Sequence, residues 1–573
     1  MANGQLNVVL CWHMHQPWYR NGLDGEYRLP WVYLHGIKDY SDMAAHLEKH
    51  RRMRSVVNFA PVLLEQIDDY AQQLSAFLSQ GAPIQDKLLN LLAGVEPVPA
   101  DTAARAELIA ECQRCHAPTM IHTHAPFQRL FKMIGATDES GVGSKHFRCS
   151  LVYLSDQYFL DLLTWYHLAW LGQSLQDLPV VQRLLQQGSE FSAADRRDLL
   201  GVIRDCLADL IPRYRQLAES GQVELSMTPY MHPIVPLLND FNNLRCSLPD
   251  APVPQTTHYP DGEARSRWHL QQGIDVFQHY FGMKPQGVWL SEGGISEDAV
   301  SLLDELGIRW TASGEGVWRN SCRLSGYNGK DEHSKRSLFM PYQQADSKVR
   351  LFFRDDGLSD LIGFKYSTWH ARDAVADFVQ HLENIAVFLN HNASNQVVSI
   401  ILDGENAWEY YPQNGAYFLD ALYAALSSSD QLKMVTFAEA SDLPPRTLPA
   451  ICAGSWVYGS FSTWIGSPDK NRGWDYLAAA KVAFDEVMAA GSLDEQQQAL
   501  ASRQLGICEG SDWFWWFGDY NPADSVRDFE RLFRQQLCKL YEMLGVDAPL
   551  YLDKPMSQGG AAAENAGTMR RNT

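Results

Sequence analysis

Two acidic residues at the ends of short apolar runs could carry covalent chemistry: Glu292 in GVWLSEGG (287 to 294) and Asp403 in VVSIILDGENAWEYY (397 to 411). Each run reads as a buried strand. Each carboxylate is therefore expected where a strand of an α/β fold opens into its loop, the place where barrel enzymes keep their reacting groups. Two acids so placed, among many tryptophans and tyrosines, imply the pair that cleaves a glycosidic bond. One attacks the anomeric carbon and the other moves the leaving-group proton. Glu405 lies two residues past Asp403 and faces the same side if the strand continues, so it competes for the acid role. Glu224, in a strand centred on VEL (223 to 225), is expected inside the barrel, either structural or orienting a substrate.

Histidines form a second group. His13 and His15 share one strand face by the two-residue period, and H-x-H at a barrel mouth can hold a metal or donate hydrogen bonds to sugar hydroxyls. The second use is preferred, with no metal and no cofactor expected. His232 in TPYMHP is expected to act similarly. CQRCH (112 to 116), followed by His122 and His124, has the letters of a zinc or haem motif. Its spacing to the later histidines matches no standard zinc module, and covalent haem attachment needs export, so packed loop residues are expected there.

These groups need elements to hold them. NVVLCWHMH (7 to 15), VEL, GVWL (287 to 290), IRWTA (308 to 312), VRLFF (349 to 353), VVSIIL (397 to 402) and MVTF (434 to 437) read as strands, with helices between most of them. The clearest helix runs from about 193 to 219, opened by Ser192 with Asp195 as a capping box; Ser296 caps another just after Glu292. Strand and helix in alternation imply a parallel sheet, and about seven strands imply a closed or nearly closed barrel. Residues from about 60 to 220 read as a helical insertion between the first and second barrel strands, forming one wall of the site. The expected division is a catalytic barrel over 1–445, a helical bundle over 446–555 and a disordered tail over 556–573.

Composition narrows the partners. The chain has 573 residues, 46% of them hydrophobic and 20% charged, an ordinary globular balance able to bury a large core. A formal net charge of −20 repels nucleic acid and anionic membranes, while a neutral glucan is indifferent to it. No run reaches the roughly 18 apolar residues of a membrane span, and the first residues do not read as a secretion signal. Ten scattered cysteines fit reduced thiols, so a cytoplasmic protein is expected.

HMHQPW (13 to 18), GQVELSMTPYMHPIVPLL (221 to 238), WLSEGG (289 to 294), LDGENAW (402 to 408) and a late group of GSW (454 to 456), TWIGSPDKNRGW (463 to 474) and EGSDWFWWFGD (509 to 519) occur in that order. Together they resemble glycoside hydrolase family 57, from about residue 7 to 545. The resemblance implies a barrel of seven β/α units with a C-terminal helical bundle, acting on α-glucans with retention of anomeric configuration. It makes Glu292 the nucleophile and Asp403 the general acid and base, and leaves Glu405 to orient a neighbour or bind a sugar hydroxyl. Retention calls for the two carboxyls about 5 to 5.5 Å apart and for an Asp403 that starts protonated near neutral pH.

Further substrate contacts are expected around this pair. Arg354 and Asp355 in FFRDD are read as a charge pair supporting Glu292. Trp289, Trp408, Trp456, Trp464 and Trp513, with Asp512 beside the last, lie in or next to the motifs, where rings can stack on glucose faces. The partner is an α-glucan or malto-oligosaccharide, and the oligomeric state is not read from the sequence. Hydrolysis of α-1,4 links leads, with 4-α-glucanotransfer or branching as the alternative. A metal-dependent sugar hydrolase or deacetylase and a non-catalytic glucan-binding protein are the remaining classes. Ser291 before the nucleophile and Gly293-Gly294 after it depart from the family's usual proline, cysteine and small residue. That departure bears on whether the enzyme hydrolyses, transfers or branches.

Overall fold

A computed structural model of the chain describes residues 5–135, 151–326, 335–560 and 568–569. Ten strands form one sheet: β1 (Leu6–Met14), β2 (Ser55–Phe59), β3 (Val223–Met227), β4 (Gly287–Val288), β5 (Trp310–Ser313), β6 (Tyr342–Gln343), β7 (Arg350–Phe353), β8 (Val397–Asp403), β9 (Leu432–Met434) and β10 (Arg446–Thr447). The strands β2, β3, β4, β5 and β7 follow one another as parallel neighbours from β1, and β8 pairs in parallel on the other side of β1. A bridge between Arg354 and Ser399 joins β7 to β8, and the Asp355 amide donates to Ser399 O at 2.9 Å. These seven parallel strands thus close on themselves as a (β/α)7 barrel. β6 and β10 extend the sheet beyond β7, with β6 antiparallel to it, and β9 pairs with the first residues of β1.

The barrel strands are apolar on both faces, as a sheet covered by helices outside and filled inside requires. Val9, Cys11, Val56, Trp289, Trp310, Phe352, Ile401 and Phe437 fill the interior as one buried cluster. A larger core lies between the strands and the surrounding helices. The helix Ala193–Glu219 begins with the expected Ser192–Asp195 capping box, and Ser296 accepts from the Ala299 amide at the start of Glu297–Glu305.

Two expectations change. SVVNF (55 to 59) is the second barrel strand, so the helical insertion separates the second and third strands rather than the first and second. Residues 556–560 are ordered against the helical region: Met556 and Ser557 are buried and Gly560 bridges Pro522. Most of the remaining tail lies outside the described residues. The expected boundary at 445/446 falls at β10, and helices Pro468–Ala490, Glu495–Cys508, Asp512–Trp516 and Ala523–Leu544 follow. No helix among the described residues is long and apolar enough to cross a membrane.

Candidate active site

The C-terminal ends of the barrel strands carry a row of polar side chains set by register. Asp403 of β8 lies opposite His13 of β1, His13 opposite Asn58 of β2, and Asn58 opposite Ser226 of β3. In-register residues of parallel strands share a face, so these four belong to one layer at the barrel mouth. Asn58 was not foreseen because its strand was not. It accepts from His13 Nδ1 at 2.6 Å and from Thr228 Oγ1 at 2.8 Å, while its amide donates to Ser226 Oγ at 3.0 Å.

Glu292 sits in the turn after β4 with φ 59° and ψ 24°, a left-handed conformation that a residue with a side chain seldom adopts. Two features hold it there. The backbone N–H of Trp456 donates to Glu292 O at 3.0 Å, and the Trp456 indole donates to Glu292 Oε2 at 2.9 Å. Ile295 and Gly454 exchange amide hydrogen bonds of 3.0 and 3.2 Å beside this contact. Gly293 also has a positive φ, and a Cβ on it would come within 2.7 Å of the Trp289 ring. The glycine after Glu292 is therefore fixed by the Trp289 ring.

Asp403 ends β8 and accepts from Asn406 Nδ2 at 3.0 Å. Burial pushes its carboxyl from 3.8 up to about 6, against that hydrogen bond and the nearby charges of His15 and Arg354. A proton is thus available near pH 6, as a general acid needs. Glu405 is more deeply buried, at 3% exposure, and its Oε2 has no partner among the described residues. Burial, then the charges of Asp403 and Asp39, hold its carboxyl well above the usual range.

The histidines stack in front of this row. His15 and His232 lie face to face with centroids 3.6 Å apart, and His13 is 5.7 and 5.4 Å from them. Burial pushes His13 down to about 3, helped by the His15 charge, and holds His232 well below its usual value, so both are neutral. Their hydrogen bonds then fix the tautomers. Ser511 Oγ donates to His232 Nδ1 at 2.8 Å, His232 Nε2 donates to His13 Nε2 at 3.3 Å, and His13 Nδ1 donates to Asn58. His15 Nε2 meets Asp512 at 2.9 and 3.1 Å. Among the described residues the ligand atoms of His15, His232 and Asp512 lie within 4.8 Å of one another, close enough to hold an ion. His15 Nε2 and His232 Nδ1 both approach the Asp512 carboxylate, at 2.9 and 3.9 Å, and each has a hydrogen-bond partner there or in Ser511.

Other expected contacts are placed differently. Arg354 does not pair with Asp355: its guanidinium donates to Asp356 at 2.7 Å, Asp360 at 2.8 Å and Ile401 O at 2.7 Å, and lies 5.5 Å from the Trp456 ring centre. Asp355 caps the helix Asp356–Asp360 through the Leu358 amide and meets Lys335 at 3.1 Å. Glu224 is in the barrel interior, where it accepts from Trp310 Nε1 at 2.6 Å and from the Ala438 amide at 2.8 Å, away from the mouth. Trp289, Trp408, Trp464 and Trp513 are fully buried and present no ring face to a sugar in this conformation. Trp289 packs edge-on to Trp456 at 5.1 Å, Trp408 against Trp12 at 5.7 Å, Trp464 near Trp515 at 5.9 Å and Trp513 between Phe529 and Phe533. Among the tryptophans of the late motifs, Trp456, Trp515 and Trp516 are partly exposed.

CQRCH serves to dock the insertion. Cys112 is buried, and His116 and Thr119 both hydrogen bond to Glu409 O in the loop after Asp403, with the His116 ring 4.7 Å from Tyr410.

The fold is shared with solved structures at low sequence identity. The branching enzyme of Thermococcus kodakaraensis matches with a TM-score of 0.54 and 14% identity, over 94% of this chain and 90% of that one. The α-amylase of Thermotoga maritima matches at 0.53 and 13%, over 95% and 94%. The 4-α-glucanotransferase of Thermococcus litoralis matches at 0.50 and 14%, over 94% of this chain and 60% of the longer enzyme. The sequence pattern of glycosyl hydrolase family 57 fits residues 9–451, a span that holds Glu292, Asp403 and all three stacked histidines, and the chain belongs to that family.

Proposed function

We propose that the protein is a retaining enzyme of α-glucans that works by double displacement. Glu292 attacks the anomeric carbon while Asp403 gives its proton to the departing glycosidic oxygen; Asp403, now ionised, then takes a proton from water as it attacks the glycosyl ester. The observation that carries this reading is the difference between the two acids. Burial keeps Asp403 protonated up to about pH 6, whereas Glu292 Oε2 accepts a hydrogen bond from Trp456, which stabilises its anion. His15, whose Nδ1 has no partner among the described residues, and Asp512 are suited to grip sugar hydroxyls at the mouth, while His13, with both ring nitrogens engaged by Asn58 and His232, backs them, and Trp456 offers the stacking face. The solved structures that share the fold are named as a branching enzyme, an α-amylase and a 4-α-glucanotransferase, and the described cysteines are free thiols, in keeping with an intracellular maltodextrin or glycogen as substrate.

Hydrolysis of α-1,4 links is the leading outcome. Transfer of the glycosyl group to a second glucan is the alternative, favoured by the insertion that His116 and Thr119 fasten over the loop after Asp403, since cover of this kind limits water. Incubation with maltoheptaose, with all products followed by chromatography, separates them. Shorter sugars alone mean hydrolysis, and a ladder extending above seven units means transfer. Glu292→Ala and Asp403→Ala are silent in either case; activity in both variants sinks the assignment.

A further inference from the structure

Asp512 reaches the histidine cluster from the C-terminal helical region, and the segment that carries it is fixed to the barrel by a buried network outside the mouth. Glu509 is fully buried and accepts from Tyr259 Oη at 2.7 Å, from Arg265 Nε and Nη2 at 2.9 and 2.7 Å, and from His269 Nε2 at 2.7 Å. Three of its partners lie on or just before the barrel helix Gly262–Phe281. His269 looks both ways. Its Nε2 donates to Glu509, which leaves Nδ1 as an acceptor for the Met231 amide at 3.4 Å, and its carbonyl accepts from the Tyr230 amide at 3.0 Å.

The next residue, His232, has φ 60°. A histidine outside the common backbone regions persists in a left-handed conformation only where its surroundings enforce it. The Glu509 segment returns the contact: the Ser511 amide donates to His232 O at 3.0 Å and Ser511 Oγ to His232 Nδ1 at 2.8 Å. Gly510 lies between these contacts, where a Cβ would come 3.0 Å from Met231 O. One residue later, Asp512 meets His15.

We infer that Glu509 and His269 form a buried positioning pair that holds His232 in its left-handed conformation and Asp512 against His15, so that the barrel and the C-terminal region complete one sugar-gripping cluster. Neither residue touches the reacting atoms. The pair acts by orienting the Tyr230–His232 turn from one side and the Glu509–Asp512 segment from the other. The inference takes its activity readout from the glucan reading above, and it has a second readout that does not depend on turnover.

The test is His269→Gln, which keeps a donor for Glu509 but withdraws the ring acceptor from the Met231 amide. With ring-labelled histidine, the His15 and His232 resonances, displaced by their mutual stacking, move in this variant, and Asp512→Asn moves the same two. On maltoheptaose kcat/KM of His269→Gln falls by up to about tenfold, no further than in Asp512→Asn, and His269→Gln/Asp512→Asn is no slower than Asp512→Asn alone, because both changes break one contact. Tyr259→Phe removes a donor from Glu509 while leaving the buried charges paired, and it moves the same resonances by less. Unmoved resonances in either folded variant, or losses that multiply in the double variant, overturn the inference. Moved resonances in a protein whose wild type leaves maltoheptaose untouched uphold the positioning pair and sink the glucan reading instead.

Discussion

Trp456 holds Glu292 at two points, its indole on Oε2 at 2.9 Å and its backbone amide on the carbonyl at 3.0 Å. The first contact orients and stabilises the carboxylate proposed as nucleophile; the second keeps the turn in its left-handed shape. Trp456→Phe removes only the first. A hydrogen bond to a charged group contributes about 1.5–3 kcal/mol, so single-turnover kinetics on maltoheptaose should slow roughly 10- to 100-fold with little change in melting temperature. Full speed in the variant would show that the indole is packing alone.

Asp403 gives the pH behaviour its sign. With Asp403 as the proposed acid of the first step, kcat/KM falls as pH rises through about 6. The same raised value bears on stability. A carboxyl whose folded value lies above its unfolded 3.8 contributes fully below that pH and loses its contribution as pH rises through about 6. Above pH 7 the ionised group costs up to about 3 kcal/mol, and Asp403→Asn should melt higher than wild type there while being inactive. Equal melting temperatures at pH 8 would mean that water relieves the charge.

Glu224 separates architecture from chemistry. Its carboxylate satisfies the Trp310 indole and the Ala438 amide inside the barrel. Glu224→Ala leaves both donors buried and unpaired, a loss of about 1–3 kcal/mol for each. Denaturant unfolding should show this loss, while kcat on maltoheptaose stays within about twofold in the folded fraction. A drop in kcat without a drop in stability would move Glu224 back to the substrate.

The histidine cluster can be challenged directly. If His15, His232 and Asp512 work by hydrogen bonds, prolonged dialysis against a chelator leaves maltoheptaose turnover unchanged, and Asp512→Asn lowers it about tenfold through loss of an ionic hydrogen bond. Loss of activity on chelation and its return with a divalent ion would reverse that reading.

The sequence displayed the ends of the longest strands best. β1 and β8 are nine and seven residues of nearly unbroken apolar character, and the polar residue where each stops marks the mouth of the barrel. β2 was invisible because five residues between the arginines of RRMR (51 to 54) and a long helix have no period that distinguishes strand from helix start. Asn58 went with it. The tryptophans misled for a different reason: motif position places a residue near the site but does not say which way its ring points. Trp289 is one turn from Glu292 and lies beneath it, whereas Trp456 is distant in sequence and touches it. Arg354 and Asp355 are adjacent, and on an extended backbone adjacent side chains diverge, so each found another partner.

The barrel closes between β7 and β8 through one bridge, Arg354 to Ser399, whereas β1 and β8 are zipped over seven residue pairs. Such a seam has fewer bonds to break than any long ladder around it, and native-state hydrogen exchange should find the Asp355 amide opening well before those of β1. The Arg354 guanidinium, reaching across to Ile401 O, acts as a clasp on that seam. Because Asp403 is two residues beyond Ile401, a parting of the two strands at this seam moves the backbone that carries Asp403.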